Sequence, residues 1–148
     1  MDESDALLLD NQLCFPLYAA SRELIKRYRP WLSALDLTYT QYIAMMVFWE
    51  KKIISVRELG RRLFLDSGTL TPVLKSLEAK GYIVRYRCPE DERMVIVEIT
   101  NAGAALRERA KEVPRRVGSC LHLSKDQIAE LYTLLYALLG GLGEPAAN

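Results

Sequence analysis

The sequence predicts a mainly α-helical chain with one small β-hairpin, and the hairpin follows directly on two short helices joined by a tight turn. Three observations carry this. Apolar residues recur at steps of three and four through most of the chain. The stretch "VRELGRRLFLDSGTLTPVLKSLEAKG" puts two such segments three residues apart, as a helix-turn-helix requires. Then "YIVRYRC" and "RMVIVEIT", rich in Val, Ile and Tyr, flank the charged tip "PEDE", which makes a wing.

Leu13, Leu17, Ala20, Leu24 and Tyr28 lie at helical spacing and predict a first helix over 7–28, which "RP" at 29 and 30 ends or bends. Pro16 leaves its start open. A start near Phe15 puts Cys14 at the N-terminus, where the helix dipole favours a thiolate, whereas a helix already running at Leu13 holds Pro16 in or near its first turn. Thr38 is the N-cap of a second helix, "YTQYIAMMVFWE", apolar nearly all round and so expected to be buried. Ser55 caps "VRELGRRLF", with Glu58 in the capping-box position. After "FLD", Asp66 or Ser67 opens the next helix, which closes at Lys80 and Gly81. Beyond the hairpin the helical period returns after Thr100, stops at Pro114 and resumes behind the cap Ser124. In that last helix Ile128, Leu131, Leu135, Leu138 and Leu142 form a stripe that Leu134, Tyr136 and Leu139 widen beyond what one surface helix buries. It packs either into its own core or, with the first helix, against a second copy.

Half of the 148 residues are hydrophobic and 26% are charged, enough for one domain with a sizeable core. No apolar run approaches the roughly 18 residues of a membrane span, and "MDESDALLLD" is acidic where a signal peptide is basic, so a cytoplasmic protein without membrane contact is expected. Cys14, Cys88 and Cys120 show no CxxC spacing and His122 is the one histidine, which argues against a zinc site and a disulfide framework; no cofactor is expected, and the thiols are free by default. The net charge of +1 is unevenly spread: residues 51–93 hold ten Lys and Arg against six Asp and Glu, a net of +4, and the remainder is −3. Such an excess fits a module that neutralises a few phosphates, though ordinary solvated faces also show it.

The stretch "LDSGTLTPVLKSLEAKGYIVRYRCPEDERMVIVEITNAG" resembles the winged helix-turn-helix of MarR-type bacterial regulators, whose pattern DxRxxxxxLTxxG stands here as Asp91, Arg93, Ile99, Thr100 and Gly103. "NQLCFPLYAASRE", "RYRP" and "LTYTQY" are similar to the organic-hydroperoxide-sensing, OhrR-type branch, marked by Cys14, Tyr28 and Tyr39; the resemblance runs over about residues 7–142. It implies a homodimeric repressor, not an enzyme, that binds a pseudo-palindromic double-stranded operator. One domain over 1–148 would divide into a DNA-binding lobe, 38–100, and a dimerisation lobe, 1–37 with 101–148. A DNA reader of this kind needs a two-fold partner, which favours the second-copy reading of the last helix.

Asp66 and Ser67 open the helix that would enter the major groove, where Ser67, Thr69 and Thr71 are short hydroxyl donors suited to base edges and phosphates, and Lys75 suits a phosphate. Simple capping or contact with solvent is the bland alternative for each hydroxyl. Arg93 at the wing would insert in the minor groove with Asp91 holding its guanidinium; the alternative is a surface ion pair.

A lone helical cysteine is more often a small buried hydrophobe than a reactive thiol. Tyr18, one turn beyond Cys14, can share its face. Tyr28 lies near the same face but about 21 Å along the axis, so it reaches Cys14 only from a second chain. In the resembling family the reactive cysteine meets tyrosines across the dimer, which implies that role for Tyr28 and Tyr39. Phenol hydroxyls stabilise a thiolate, and a thiolate attacks peroxide to give a sulfenic acid. Apolar Phe15, Leu17 and Trp31 would favour an organic hydroperoxide over hydrogen peroxide. Some members of the branch use a second cysteine near Cys120 to resolve the sulfenic acid; a low-molecular-weight thiol is the other possibility, with Cys120 idle. Cys88 and His122 are expected to be idle. Two other functions stay open: a MarR-type repressor released by a phenolic ligand with Cys14 inert, and a small thiol peroxidase, against which the helix-turn-helix and wing both speak.

Overall fold

The structure, a computed structural model, describes residues 3–143. Two short 3-10 turns, Glu3–Leu7 and Leu9–Asn11, lead into α1, Cys14–Ser33. There follow α2 (Tyr39–Lys51), β1 (Ile53–Ser55), α3 (Val56–Leu63), α4 (Ser67–Ala79), β2 (Ile83–Arg87), β3 (Val95–Ile99), α5 (Asn101–Ala110), α6 (Val113–Gly118) and α7 (Lys125–Leu142). The fold is the expected one, mainly helical with a helix-turn-helix and wing.

The first helix takes the later of the two starts that the sequence left open and runs past the end expected at 28. It begins at Cys14, so Pro16 is its third residue and the missing N–H is one that no helical carbonyl could have received. It continues through Pro30 to Ser33. Burial outweighs the lost hydrogen bond there: Leu32, Leu35 and Leu37 are all in the core, and the N–H groups of Leu35 and Leu37 both close on the Leu32 carbonyl.

Thr38 caps α2 through a full capping box, receiving the Gln41 N–H while the Gln41 side chain receives the Thr38 N–H. Ser55 caps α3 in the same way, but Glu58 returns no bond and pairs with Arg61 instead. Asp66, rather than Ser67, is the cap of α4, and its Oδ1 accepts the Thr69 N–H at 2.7 Å. Phe64 in the left-handed region (φ 54°) makes the tight turn between α3 and α4.

A third strand was not legible in the sequence. β1 pairs antiparallel with β3, giving the order β1-β3-β2, with Ile54 opposite Val97 and Arg85 opposite Val97 on the other side. Three residues are too few for an alternating pattern. Pro114, expected only as a stop, also serves as the second residue of α6, where a proline costs nothing.

Met45, Phe48, Leu59, Leu70, Leu74, Leu77, Ile83 and Val97 form the centre of the core, so α2, α3, α4 and the sheet share one apolar interior. Gly103 allows α5 to close on it: a Cβ there would fall 2.2 Å from the Tyr82 carbonyl oxygen. The same glycine carbonyl accepts the Trp49 indole N–H at 2.8 Å. The last helix behaves differently. No residue of α7 is buried, and Leu131, Leu134, Tyr136 and Leu142 are between 46% and 73% exposed.

Candidate functional site

The helix α4 presents its N-terminal turn on the surface, with Ser67, Thr69, Thr71 and Lys75 all exposed. The threonine hydroxyls are engaged locally: Thr71 Oγ1 donates to the Ser67 carbonyl at 2.8 Å, and Thr69 Oγ1 donates to Asp66 Oδ2 at 3.3 Å. In this chain alone Thr69 thus supports the Asp66 cap and Thr71 bonds back onto its own helix. The Thr69 backbone N–H first, and then its hydroxyl, hold the Asp66 carboxyl below the usual carboxylate range.

Residues 88–94 close the wing. The Cys88 N–H bonds the Met94 carbonyl at 2.8 Å and the Met94 N–H bonds the Asp91 carbonyl. Asp91 does not hold the Arg93 guanidinium, contrary to expectation. Its Oδ1 accepts the Arg93 backbone N–H at 3.1 Å, because a residue two positions away in a tight turn offers its N–H closer than its side chain. Arg93 is exposed, and its guanidinium has no partner among the described residues.

The wing is fastened to α4 by a pair that sequence reasoning missed. Glu78 Oε1 accepts the Arg85 backbone N–H at 3.1 Å, and Oε2 accepts from Arg85 Nε and Nη2 at 3.1 and 2.7 Å. The pair joins a helix to a strand seven residues on, a link that no helical period reveals.

Cys14 is the first residue of α1 and is exposed, and its sulfur makes no hydrogen bond among the described residues. The core-filler reading is thus excluded for the chain by itself. Tyr18 does not turn toward the sulfur; its hydroxyl accepts from Arg22 Nη1 at 2.9 Å. Phe15 and Leu17 are exposed beside Cys14, but Trp31 lies sixteen residues beyond Phe15 in one continuous helix, about 24 Å away. There Trp31 stacks under the Arg116 guanidinium at 4.5 Å and, with Leu35, Arg109 and Val113, lines a cleft of about 340 Å³.

Tyr28 and Tyr39 come together. Their rings meet edge-on at 4.9 Å between centroids, and Tyr42 tilts against Tyr28 at 6.0 Å. Burial pushes all three phenols up, Tyr42 to about 12, so each remains a protonated donor at neutral pH. Within one chain this cluster is far from Cys14.

Cys120 is exposed just beyond α6, with its thiol 3.5 Å from the Arg116 carbonyl. Cys88 is half-exposed with its sulfur 3.8 Å from Glu90 Oε2. No cluster of three metal-ligating side chains occurs among the described residues, and none of the helices is long and apolar enough to cross a membrane.

The family model for the transcriptional regulators SarA/Rot matches residues 23–110. The organic hydroperoxide resistance transcriptional regulator of Bacillus subtilis is 47% identical over 138 residues, which is 91% of this chain and 92% of that one. This chain belongs to the MarR-type transcriptional regulators, in the OhrR-type branch. Solved structures agree with it. Reduced AbfR bound to DNA is 33% identical with a TM-score of 0.78, over 95% of this chain and 99% of that one. A MarR variant from E. coli complexed with operator DNA is 27% identical with a TM-score of 0.79, over 94% and 99%. This OhrR-type chain is accordingly a winged-helix transcriptional regulator and not an enzyme.

Proposed function

We propose that this OhrR-type regulator is a cytoplasmic, homodimeric repressor that leaves its operator when an organic hydroperoxide oxidises Cys14. The observation that carries the reading is the exposed, unbonded thiol on the first turn of α1, in a chain 47% identical to a regulator of organic hydroperoxide resistance. Residues 38–100 form the DNA-binding lobe, and 1–37 with 101–148 the dimerisation lobe. The unburied apolar residues of α7 supply the interface.

In the dimer, Tyr28 and Tyr39 of one chain donate to the Cys14 thiolate of the other. The sulfur attacks the terminal peroxide oxygen, an S–O bond forms, and the O–O bond breaks. The departing alkoxide takes a proton and leaves as the alcohol, so the peroxide is reduced by two electrons and Cys14 becomes a sulfenic acid. Attack by a second thiol, from Cys120 or a small thiol, then forms a disulfide and releases water. On the DNA side Ser67, Thr69 and Thr71 face the major groove behind the Asp66 cap, Lys75 meets a phosphate, and Arg93 enters the minor groove from a tip shaped by Asp91.

The test is release of labelled operator from wild type and Cys14→Ser by cumene hydroperoxide. Wild type is expected to release and Cys14→Ser to bind equally well but stay bound, since serine cannot be oxidised in this way. Release of both at one rate returns Cys14 to an inert role, and release of both by a phenol alone favours the ligand-responsive reading.

A further inference from the structure

We propose that Gln41 is a positioning residue that transmits the state of the Tyr28–Tyr39 pair to α4, the helix that faces DNA. This rests on the peroxide-sensing reading above. The first turn of α2 is shared between two jobs. Tyr39 and Tyr42 turn toward Tyr28 on α1, while Gln41 turns the other way, into α4.

Gln41 is the one buried polar side chain among the described residues, 6% exposed, and both polar atoms of its amide are engaged. Nε2 donates to Ser76 Oγ on α4 at 2.9 Å. Oε1 accepts the Thr38 N–H at 3.1 Å and the Lys80 ammonium at 3.2 Å. Lys80, at the end of α4, also donates to the Asp36 carbonyl and sits 3.3 Å from the Asp36 carboxylate, which fixes it to the turn between α1 and α2. Asp36 itself is held in the left-handed region at φ 53°.

A buried polar group with both polar atoms bonded resists sliding, because displacement leaves donors and acceptors unpaired in an apolar interior. Core residues around it could slip over one another at small cost; this amide cannot. When Tyr28 and Tyr39 re-aim around an oxidised sulfur, the first turn of α2 moves with Tyr39. Gln41 and Lys80 then carry α4 along with it, and the two recognition helices of a dimer lose their spacing on the operator.

Gln41→Met keeps the volume and removes the links, and Ser76→Ala removes only the acceptor on α4. Operator affinity is measured by fluorescence anisotropy before and after cumene hydroperoxide, and loss of the Cys14 thiol is followed by intact mass. Both variants are expected to oxidise at the wild-type rate and, reduced, to bind operator within about threefold of wild type. The ratio of oxidised to reduced Kd is expected to fall about tenfold in Gln41→Met and about threefold in Ser76→Ala. Wild-type ratios in both variants overturn the coupling. If Gln41→Met does not fold, Ser76→Ala decides alone. A wild-type protein that oxidises at Cys14 without losing affinity overturns the sensing reading, and the coupling with it.

Discussion

Tyr28 on α1 and Tyr39 on α2 lean together edge to face, 4.9 Å between ring centres, and both phenols are pushed up by burial. The pair is thus a protonated donor set that lies far from the cysteine of its own chain. Replacing either by Phe keeps the ring packing and deletes one hydroxyl. A hydrogen bond to a charged acceptor contributes about 1.5–3 kcal/mol, so thiol oxidation by cumene hydroperoxide is expected to slow about tenfold or more. Operator affinity of the reduced variants is expected to stay at the wild-type value. Loss of that affinity before oxidation would instead make both residues structural.

Cys120→Ser separates the two fates of the sulfenic acid. The variant is expected to release operator as wild type does. On a non-reducing gel, oxidised wild type should run as a chain-linked species and the variant as a single chain. A disulfide requires Cα atoms within about 7 Å, so its formation also reports a movement of α1 against the segment after α6. An identical band pattern for the two proteins assigns resolution to a small thiol.

Arg93 and Lys75 differ in what they read. Arg93→Ala is expected to weaken operator binding by about 1–3 kcal/mol and to leave random DNA nearly unaffected. Lys75→Ala should weaken both, and flatten the salt dependence by a slope of about one. A footprint of two half-sites about 10 base pairs apart would accompany wild-type binding. Equal losses for Arg93→Ala on both DNAs would remove the minor-groove assignment.

The Glu78–Arg85 pair makes a pH-dependent contribution. Hydrogen bonds from Arg85 hold the Glu78 carboxyl below its usual range. A carboxyl depressed on folding stabilises fully above its unfolded value of about 4.3 and loses that contribution as pH falls through the lower folded value. With side chains 24% and 37% exposed, solvent screening keeps the pair under about 1 kcal/mol. Glu78→Gln is expected to lower Tm by no more than about 2–4 °C at pH 7, with the difference vanishing toward pH 3. A constant difference across that range would assign the effect to packing.

Gly103→Ala is expected to cost about 2–4 kcal/mol in denaturant unfolding, because the new methyl meets the Tyr82 carbonyl oxygen at 2.2 Å and Ile99 Cγ1 at 2.9 Å. Gly118→Ala meets nothing within 4 Å in the chain and is the matched control. Similar stability of the two variants would show that the strand and α5 part easily.

Caps and periods made most of this fold readable. Thr38, Ser55, Asp66, Thr100 and Ser124 each begin the helix they announce, since a short side-chain oxygen beside an exposed N–H is a local event. The extent of α1 was not local: buried Leu32, nineteen positions from the cap, carries it past Pro30. The roles expected of Cys14, Tyr28 and Tyr39 came from the resemblance to the OhrR-type branch, because no single-chain pattern could join groups so far apart. Gln41 drew no notice in the sequence, where Thr38 alone marked the start of α2. Its task toward Ser76 is set by a helix 35 positions away.

The bare face of α7 changes what one oxidised sulfur means. An 18-residue helix with nothing buried is marginal in water, so in the proposed dimer its folding and its pairing are one event, and the pair is the unit that occupies DNA. Each pair carries two Cys14 thiols. When half of all these thiols are oxidised at random, only about a quarter of pairs keep both intact, so repression fades sooner than the thiol pool does. In the proposed dimer, a helix that buries nothing by itself would thereby turn a chemical dose into an earlier genetic response.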